Sequence, residues 1–96
     1  MARVELAIAA VADLDRIIGT HNLPADTRRR VKRLLRPLQR FPRIGAELPG
    51  RWRGLRFVLG PWRWMLIVYS IQEDDARVLV VTIQDARSSS AATAER

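Results

Sequence analysis

Residues Trp52 to Arg87 read WRGLRFVLGPWRWMLIVYSIQEDDARVLVVTIQDAR. Three runs of this stretch are rich in Val, Ile, Leu, Phe, Trp and Tyr, and two turn signals divide them. Gly60-Pro61 is the first, and the acidic Gln72 to Ala76 segment is the second. Branched and aromatic side chains suit a pleated, packed surface, so the runs predict strands. Connections this short make neighbouring strands antiparallel. The expectation is a three-stranded meander against which the rest of the chain must pack.

A two-residue loop at Gly60-Pro61 sets Leu59 opposite Trp62, Phe57 opposite Trp64 and Leu55 opposite Leu66. Side chains alternate along a strand, so those residues share one face, and Arg56, Val58, Arg63 and Met65 share the other. A five-residue loop at 72–76 pairs Ile71 with Arg77 and Tyr69 with Leu79. That register brings Arg87 onto the Arg56/Arg63 face, and a one-residue change in the loop would flip it. The last two strands are then apolar on both sides: Trp64, Leu66, Val68 and Val80 on one, Met65, Ile67, Leu79, Val81 and Ile83 on the other. Such a sheet needs two covers. The upstream chain offers one helical layer, which predicts that a partner covers part of the second face.

A chain of 96 residues makes one domain with one core. With 48% hydrophobic residues it is globular rather than disordered. The absence of cysteine excludes disulfides and thiolate zinc sites, and a single histidine makes a poor metal site, so no cofactor is expected. The longest apolar run, Met65 to Tyr69, is far too short for a membrane span. Glu5 and Asp13 interrupt the N-terminal apolar segment that would otherwise suggest a signal peptide. A cytoplasmic protein is expected. Its net charge is +7, unevenly spread: from Arg28 to Arg56 there are ten arginines and one lysine against one acid, Glu47. Arginine's planar fork suits bidentate contact with phosphate or carboxylate. A solvated helix face accounts for any single arginine equally well. The whole cluster points to an anionic partner, either nucleic acid or an acidic protein segment.

Upstream, Arg3 to Leu6 predicts a short strand. Ala7 to Ile18 predicts a helix with Ile8, Val11, Leu14 and Ile18 on one stripe and Gly19 as its terminator. Thr20 to Leu23 reads as a loop in which His21 is exposed. Pro24 suits a first helical turn and Asp26 its positive end, so a second helix is expected from Pro24 to Arg40. Val31, Leu34, Leu35, Leu38 and Phe41 form its apolar stripe, and Arg29, Arg33, Arg36 and Arg40 a basic stripe beside it. Pro37 costs roughly 3 kcal/mol inside a helix. The apolar rhythm continues past it, which predicts a kink rather than a stop. Phe41 to Arg51, with two prolines and two glycines, is a loop into the meander. The folded domain is expected at residues 1–87, followed by a Ser/Ala-rich tail at 88–96.

The order strand, helix, helix, three-stranded meander (β-α-α-β-β-β, an α+β fold) resembles the RelE/ParE superfamily of toxins from type II toxin–antitoxin modules. Ala7 to Ile18 is similar to the family's first helix. Arg40-Phe41-Pro42-Arg43-Ile44-Gly45 resembles the end of its second. Gly54-Leu55-Arg56 resembles the opening of the next strand, and Val80-Val81-Thr82-Ile83-Gln84-Asp85-Ala86-Arg87 the last strand and the arginine after it. The resemblance covers nearly the whole chain. It implies a mixed sheet with helices on one face, and a cognate acidic antitoxin that wraps the toxin.

The family implies two mechanisms. RelE-like members cleave messenger RNA on the ribosome; ParE-like members inhibit DNA gyrase and are not nucleases. Cleavage must activate a 2′-hydroxyl, neutralise a crowded phosphate and protonate a leaving oxygen. Carried over by resemblance, the candidate catalytic set is Arg56, Arg63, Arg87 and Tyr69, and it applies only to a nuclease. The match is partial. Val58 stands at a second basic position, Leu66 where an arginine is common, and the tail lacks the family's C-terminal tyrosine. Arginine stays protonated and is a poor proton shuttle. The leading expectation is therefore a growth-inhibiting toxin of ParE-like action on gyrase, with RelE-like mRNA cleavage as the alternative. A rival reading from another class is a non-toxic nucleic-acid-binding protein. The candidate binding surface, for partner or nucleic acid, is Arg29, Arg33, Arg36, Arg40, Arg51, Trp52 and Arg53.

Overall fold

Met65, Leu66, Ile67, Val68 and Tyr69 form a strand with no residue more than 1% exposed. The computed structural model describes residues 1–94 and builds everything else around that strand. The elements are β1 (Arg3–Leu6), α1 (Ile8–His21), α2 (Thr27–Leu35), β2 (Ala46–Glu47), β3 (Arg56–Leu59), β4 (Met65–Gln72) and β5 (Arg77–Asp85). The sheet has five strands in the order β1-β5-β4-β3-β2. β1 runs parallel to β5 and the other neighbours are antiparallel. The expected α+β order is present, with β2 as an added short edge strand.

The register differs from expectation at both turns. Leu59 faces Leu66 and Phe57 faces Val68, not Trp62 and Trp64. Proline is locked near φ −65°, whereas a type I′ hairpin turn needs positive φ at both central residues, so a tight hairpin is disfavoured at Gly60-Pro61. Instead the loop 60–64 closes through Gly60 N–H to the Met65 carbonyl and Met65 N–H to that of Trp62, at 2.8 and 2.9 Å. Trp62 and Trp64 thereby leave the strand and turn to the helix side, where they join the main core. At the second turn Gln72, not Ile71, faces Arg77. Glu73, Asp74 and Asp75 adopt φ of 55°, 52° and 69°, left-handed values that reverse the chain in one residue fewer than expected. The resulting flip is undone by a bulge: Tyr69 faces Val80 but Val68 faces Thr82, leaving Val81 as the extra residue. Val78, Val80 and Ile83 therefore all point to the helix side.

Helix α1 is three residues longer than the expected end at Ile18. Gly19 lies inside it, and Asn22 (φ 50°, ψ 51°) takes the left-handed capping position. The buried stripe is Ala10, Leu14 and Ile17, with Ile18 partly buried, whereas Ile8 is 90% exposed. The second helix starts later and ends earlier than expected. It begins at Thr27, whose hydroxyl donates to the Pro24 carbonyl at 2.7 Å. Pro37 does more than kink it: Arg36–Gln39 continues as a 3₁₀ turn. That tightening still carries Leu38 into the core, while Phe41 stays 62% exposed, outside the stripe.

Much of the second face of the sheet is covered by the chain itself, while Phe57 and Val81 stay half-buried and Leu59 is 43% exposed there, which narrows the part left for the expected partner to those positions. Leu66 and Val68 pack with Leu48, Ala91 and Ala92, flanked by Trp52, Leu55 and Phe57. The segment after β5 thus folds back as cover, and the Ala92 N–H donates to Gln84 Oε1 at 2.8 Å. Of the expected tail, residues 95–96 lie outside the described residues.

β1 pairs with β5 only as far as Val80. Beyond it, Asp13 of α1 accepts from Thr82 Oγ1 (2.6 Å) and from the Ile83 N–H (3.2 Å). Burial raises the Asp13 pKa, but these hydrogen bonds and that from Arg16 outweigh it, and the net shift is downward. Asp13→Ala leaves both donors unpaired and is expected to lower stability by about 1–3 kcal/mol. A urea unfolding midpoint measures it, and Asp13→Asn, which keeps one acceptor, should lose less.

Candidate functional site

Loop 60–64 lays its two tryptophans against the helices. Trp64 stacks on His21, the last residue of α1, with ring centroids 4.5 Å apart. Trp62 lies under the Arg30 guanidinium of α2 at 5.0 Å, and the two indole rings are 6.3 Å apart. The guanidinium of Arg87 sits 4.7 Å from the Trp64 ring. It donates through Nε (2.9 Å) and one terminal nitrogen (2.8 Å) to Asp85. The same nitrogen reaches His21 Nε2 at 3.2 Å. His21 Nδ1 faces the Ile17 carbonyl at 3.2 Å. In the neutral ring that geometry places the proton on Nδ1 and leaves Nε2 to accept from Arg87. Once protonated, Nε2 has Asp85 within 3.4 Å. His21, at 29% side-chain exposure, is thus built into a cluster rather than free in a loop. An open cleft of about 320 Å³ adjoins it, lined by Arg16, Thr20, His21, Gln84, Asp85 and Ser88 among others.

The four residues that the nuclease reading needs are not brought together. Arg56, 18% exposed, donates to the Arg43 and Gly45 carbonyls and pairs with Glu47. It faces Tyr69 across the ladder, whereas Asp85 faces Met65. Four residues of strand separate those levels, ~13 Å, and Arg87 lies beyond. Arg63 is exposed on the loop and makes no ion pair among the described residues. Tyr69 is fully buried, and its hydroxyl donates to the Pro42 carbonyl (2.6 Å) and accepts the Gly45 N–H (3.0 Å). Burial pushes its pKa up, only partly opposed by the Gly45 bond. A side chain on residue 45 would meet the Phe57 carbonyl at 2.5 Å and the Tyr69 hydroxyl at 2.6 Å, so glycine is needed there. The tyrosine is a structural clamp on the loop entering β2.

The sheet also divides the basic cluster. Arg29, Arg33, Arg36 and Arg40 lie exposed along α2 and its 3₁₀ extension, on the helix side. Arg51 and Arg53 flank Trp52, which packs into the cluster on the opposite face. Trp52 is half-buried in that packing. The Trp64 cluster was hidden in the sequence because it joins three distant segments; only the Asp85/Arg87 spacing at a strand end offered a local sign.

The family model for the ParE toxin of the type II toxin–antitoxin system parDE matches residues 4–89. The chain belongs to this ParE toxin family. Solved structures agree on the fold. The chromosomal ParDE system of Pseudomonas aeruginosa aligns at TM-score 0.69 and 17% identity, over 91% of this chain and 98% of the other. The toxin–antitoxin complex RelBE2 of Mycobacterium tuberculosis gives 0.65 and 21%, over 88% and 96%. The intact RelBE complex of Escherichia coli gives 0.64 and 16%, over 92% and 100%. Among proteins of curated function none matches. As a ParE-family member the chain is a toxin of a type II module. No helix among its described residues is long and apolar enough to cross a membrane.

In this ParE-family chain the Arg87 bonds, against the cost of burial, hold Asp85 down at about 2, from an ordinary 3.8. A depressed carboxylate stabilises the fold fully above its unfolded value and loses that contribution as pH falls toward the folded one. The Asp85–Arg87 pair is therefore expected to weaken between about pH 4 and 2. Trp64 fluorescence during acid titration reports it, with Trp62→Phe and Trp52→Phe in the background, and Asp85→Asn should remove that part of the transition.

Proposed function

We propose that this ParE-family toxin arrests growth as a ParE-type inhibitor of DNA gyrase, acting by binding and not by cutting RNA, and that a cognate antitoxin holds it silent. The observation that carries the reading is the dispersal of the nuclease set. Tyr69 has its hydroxyl committed to backbone groups, and Arg56 is tied to the loop before β2. Neither is free to attend a phosphate at Arg87. Arginines alone stabilise charge but move no proton. The antitoxin rests on family membership and on neighbours whose structures are toxin–antitoxin complexes.

One observation favours a second reading. Arg87 is hydrogen-bonded to His21, whose imidazole has one nitrogen to donate and one to accept a proton. That pair lends the RelE-like alternative, ribosome-dependent mRNA cleavage, an acid–base partner beside one arginine.

The purified chain is expected to block supercoiling by gyrase and to leave translating messenger RNA intact. Cleaved message with unaffected supercoiling would reverse the assignment. On the nuclease reading alone, Arg87→Ala should lower cleavage by about 10²–10³. Growth arrest that survives this substitution agrees with the gyrase reading.

A further inference from the structure

Two large apolar side chains stand together in solvent at one turn. Phe41 is 62% exposed and Ile44 63%. The Ile44 N–H donates to the Phe41 carbonyl at 3.1 Å, closing the 3₁₀ turn Pro42–Ile44. Side chains three residues apart on such a turn eclipse, so the pair projects as one knob. A single exposed hydrophobe is ordinary, but two on one turn make a patch.

The backbone beneath the knob is fixed from the sheet. The Tyr69 hydroxyl holds the Pro42 carbonyl and the Gly45 N–H, and Arg56 holds the Arg43 and Gly45 carbonyls at 3.1 and 2.7 Å. Arg43 is itself bonded twice to Asp75. A support of this kind lowers the ordering cost that binding would otherwise carry. Arg36 and Arg40 stand exposed on the approach to the knob and make no ion pair among the described residues. Glu47 and Asp75, the carboxylates bonded at this turn, are taken by Arg56 and Arg43.

An apolar centre with an arginine rim is the anatomy of a protein–protein hot spot, and its complement is an apolar pocket edged with carboxylates. Shape then chooses between protein partners. A wrapping segment brings side chains of its own and fits hollows, such as that of about 320 Å³ between Val4, Leu6, Leu35 and Gln39. A projection needs a cavity in its partner, and cavities are a property of folded proteins. A second copy of this chain would set Arg36 and Arg40 against their own counterparts.

We propose that the Phe41–Ile44 knob, with Arg36 and Arg40 beside it, is the surface by which the toxin docks on DNA gyrase, in an apolar pocket of that enzyme edged with carboxylates. This rests on the proposed action on gyrase. Tyr69 and Arg56 become positioning residues for the contact.

The test is inhibition of supercoiling by purified gyrase, titrated with the full chain. Phe41→Ser/Ile44→Ser should need at least about thirtyfold more protein for half-inhibition, as for loss of a hot spot. Arg36→Gln/Arg40→Gln should need about three- to tenfold more, a difference that shrinks as salt rises. Ile8→Ser, which removes another exposed apolar side chain at the start of α1, should inhibit like the wild type. Circular dichroism checks folding, and Phe41→Ala/Ile44→Ala repeats the comparison if serine disturbs the turn. A wild-type chain without effect on gyrase would remove the reading on which the proposal rests. A wild-type chain that inhibits, with Phe41→Ser/Ile44→Ser inhibiting equally, would overturn the docking surface alone. So would an equal loss in Ile8→Ser, or knob-dependent binding to phosphatidylglycerol vesicles, duplex DNA, polyglutamate or a second copy of the chain.

Discussion

A strand buried on both sides must be roofed twice, and β4 sets that requirement for the whole molecule. Fully burying an aliphatic or aromatic side chain stabilises by about 1.5–3 kcal/mol. Five consecutive buried residues in β4 therefore bring a gain on the order of the net stability of a small domain. The two roofs are made differently. On one side α1, α2 and the 3₁₀ turn bring Leu14, Ile17, Val31, Leu35 and Leu38. On the other, no α-helix lies among the described residues, and a loop with Leu48 and Trp52 joins the alanines that follow β5.

The polar groups of the fold are organised by where the sheet stops. β1 ends its pairing at Val80, and the backbone edge beyond it is claimed by a carboxylate from α1. At the far end of the sheet, Tyr69 ties the backbone of Pro42 and Gly45 to β4. Acidic residues are placed where backbone or arginine needs them: Glu73 and Asp75 in the tight turn hold Arg3 and Arg43. Apart from Arg28, which pairs with Asp15, the arginines of the second helix make no ion pair among the described residues, and the same holds for Arg51, Arg53 and Arg63 in the loops. The positive charge is thus concentrated on the second helix and two loops.

Much of the architecture was legible because it is written in periodicity. β1 has the bounds expected from Arg3-Val4-Glu5-Leu6, and the meander follows from its branched and aromatic runs. Faces were harder. Whether Val80 or Val81 points to the helices depends on a turn one residue shorter than expected and on a bulge that no side-chain pattern announces. The tryptophans misled for a related reason. Counted as strand residues, Trp62 and Trp64 pair with Leu59 and Phe57; freed by a longer loop, they close the other end of the core. The site residues fared least well. Arg56, Tyr69 and Arg87 were legible as residue types at plausible positions, but their hydrogen bonds run to segments far off in sequence. His21 carried no local sign of its place against Trp64.

The alanines over the second face carry a consequence for how the chain tolerates change. Ala91 is 4% exposed and Ala92 is not exposed at all, with a methyl group as the entire side chain on each. A packed interior accepts added methylenes poorly, so bulk, not polarity, is what these positions refuse. Composition makes the Ser/Ala stretch look like expendable spacer. Its smallest residues are instead shims cut to the gap, and any larger side chain there would lever the roof off the sheet.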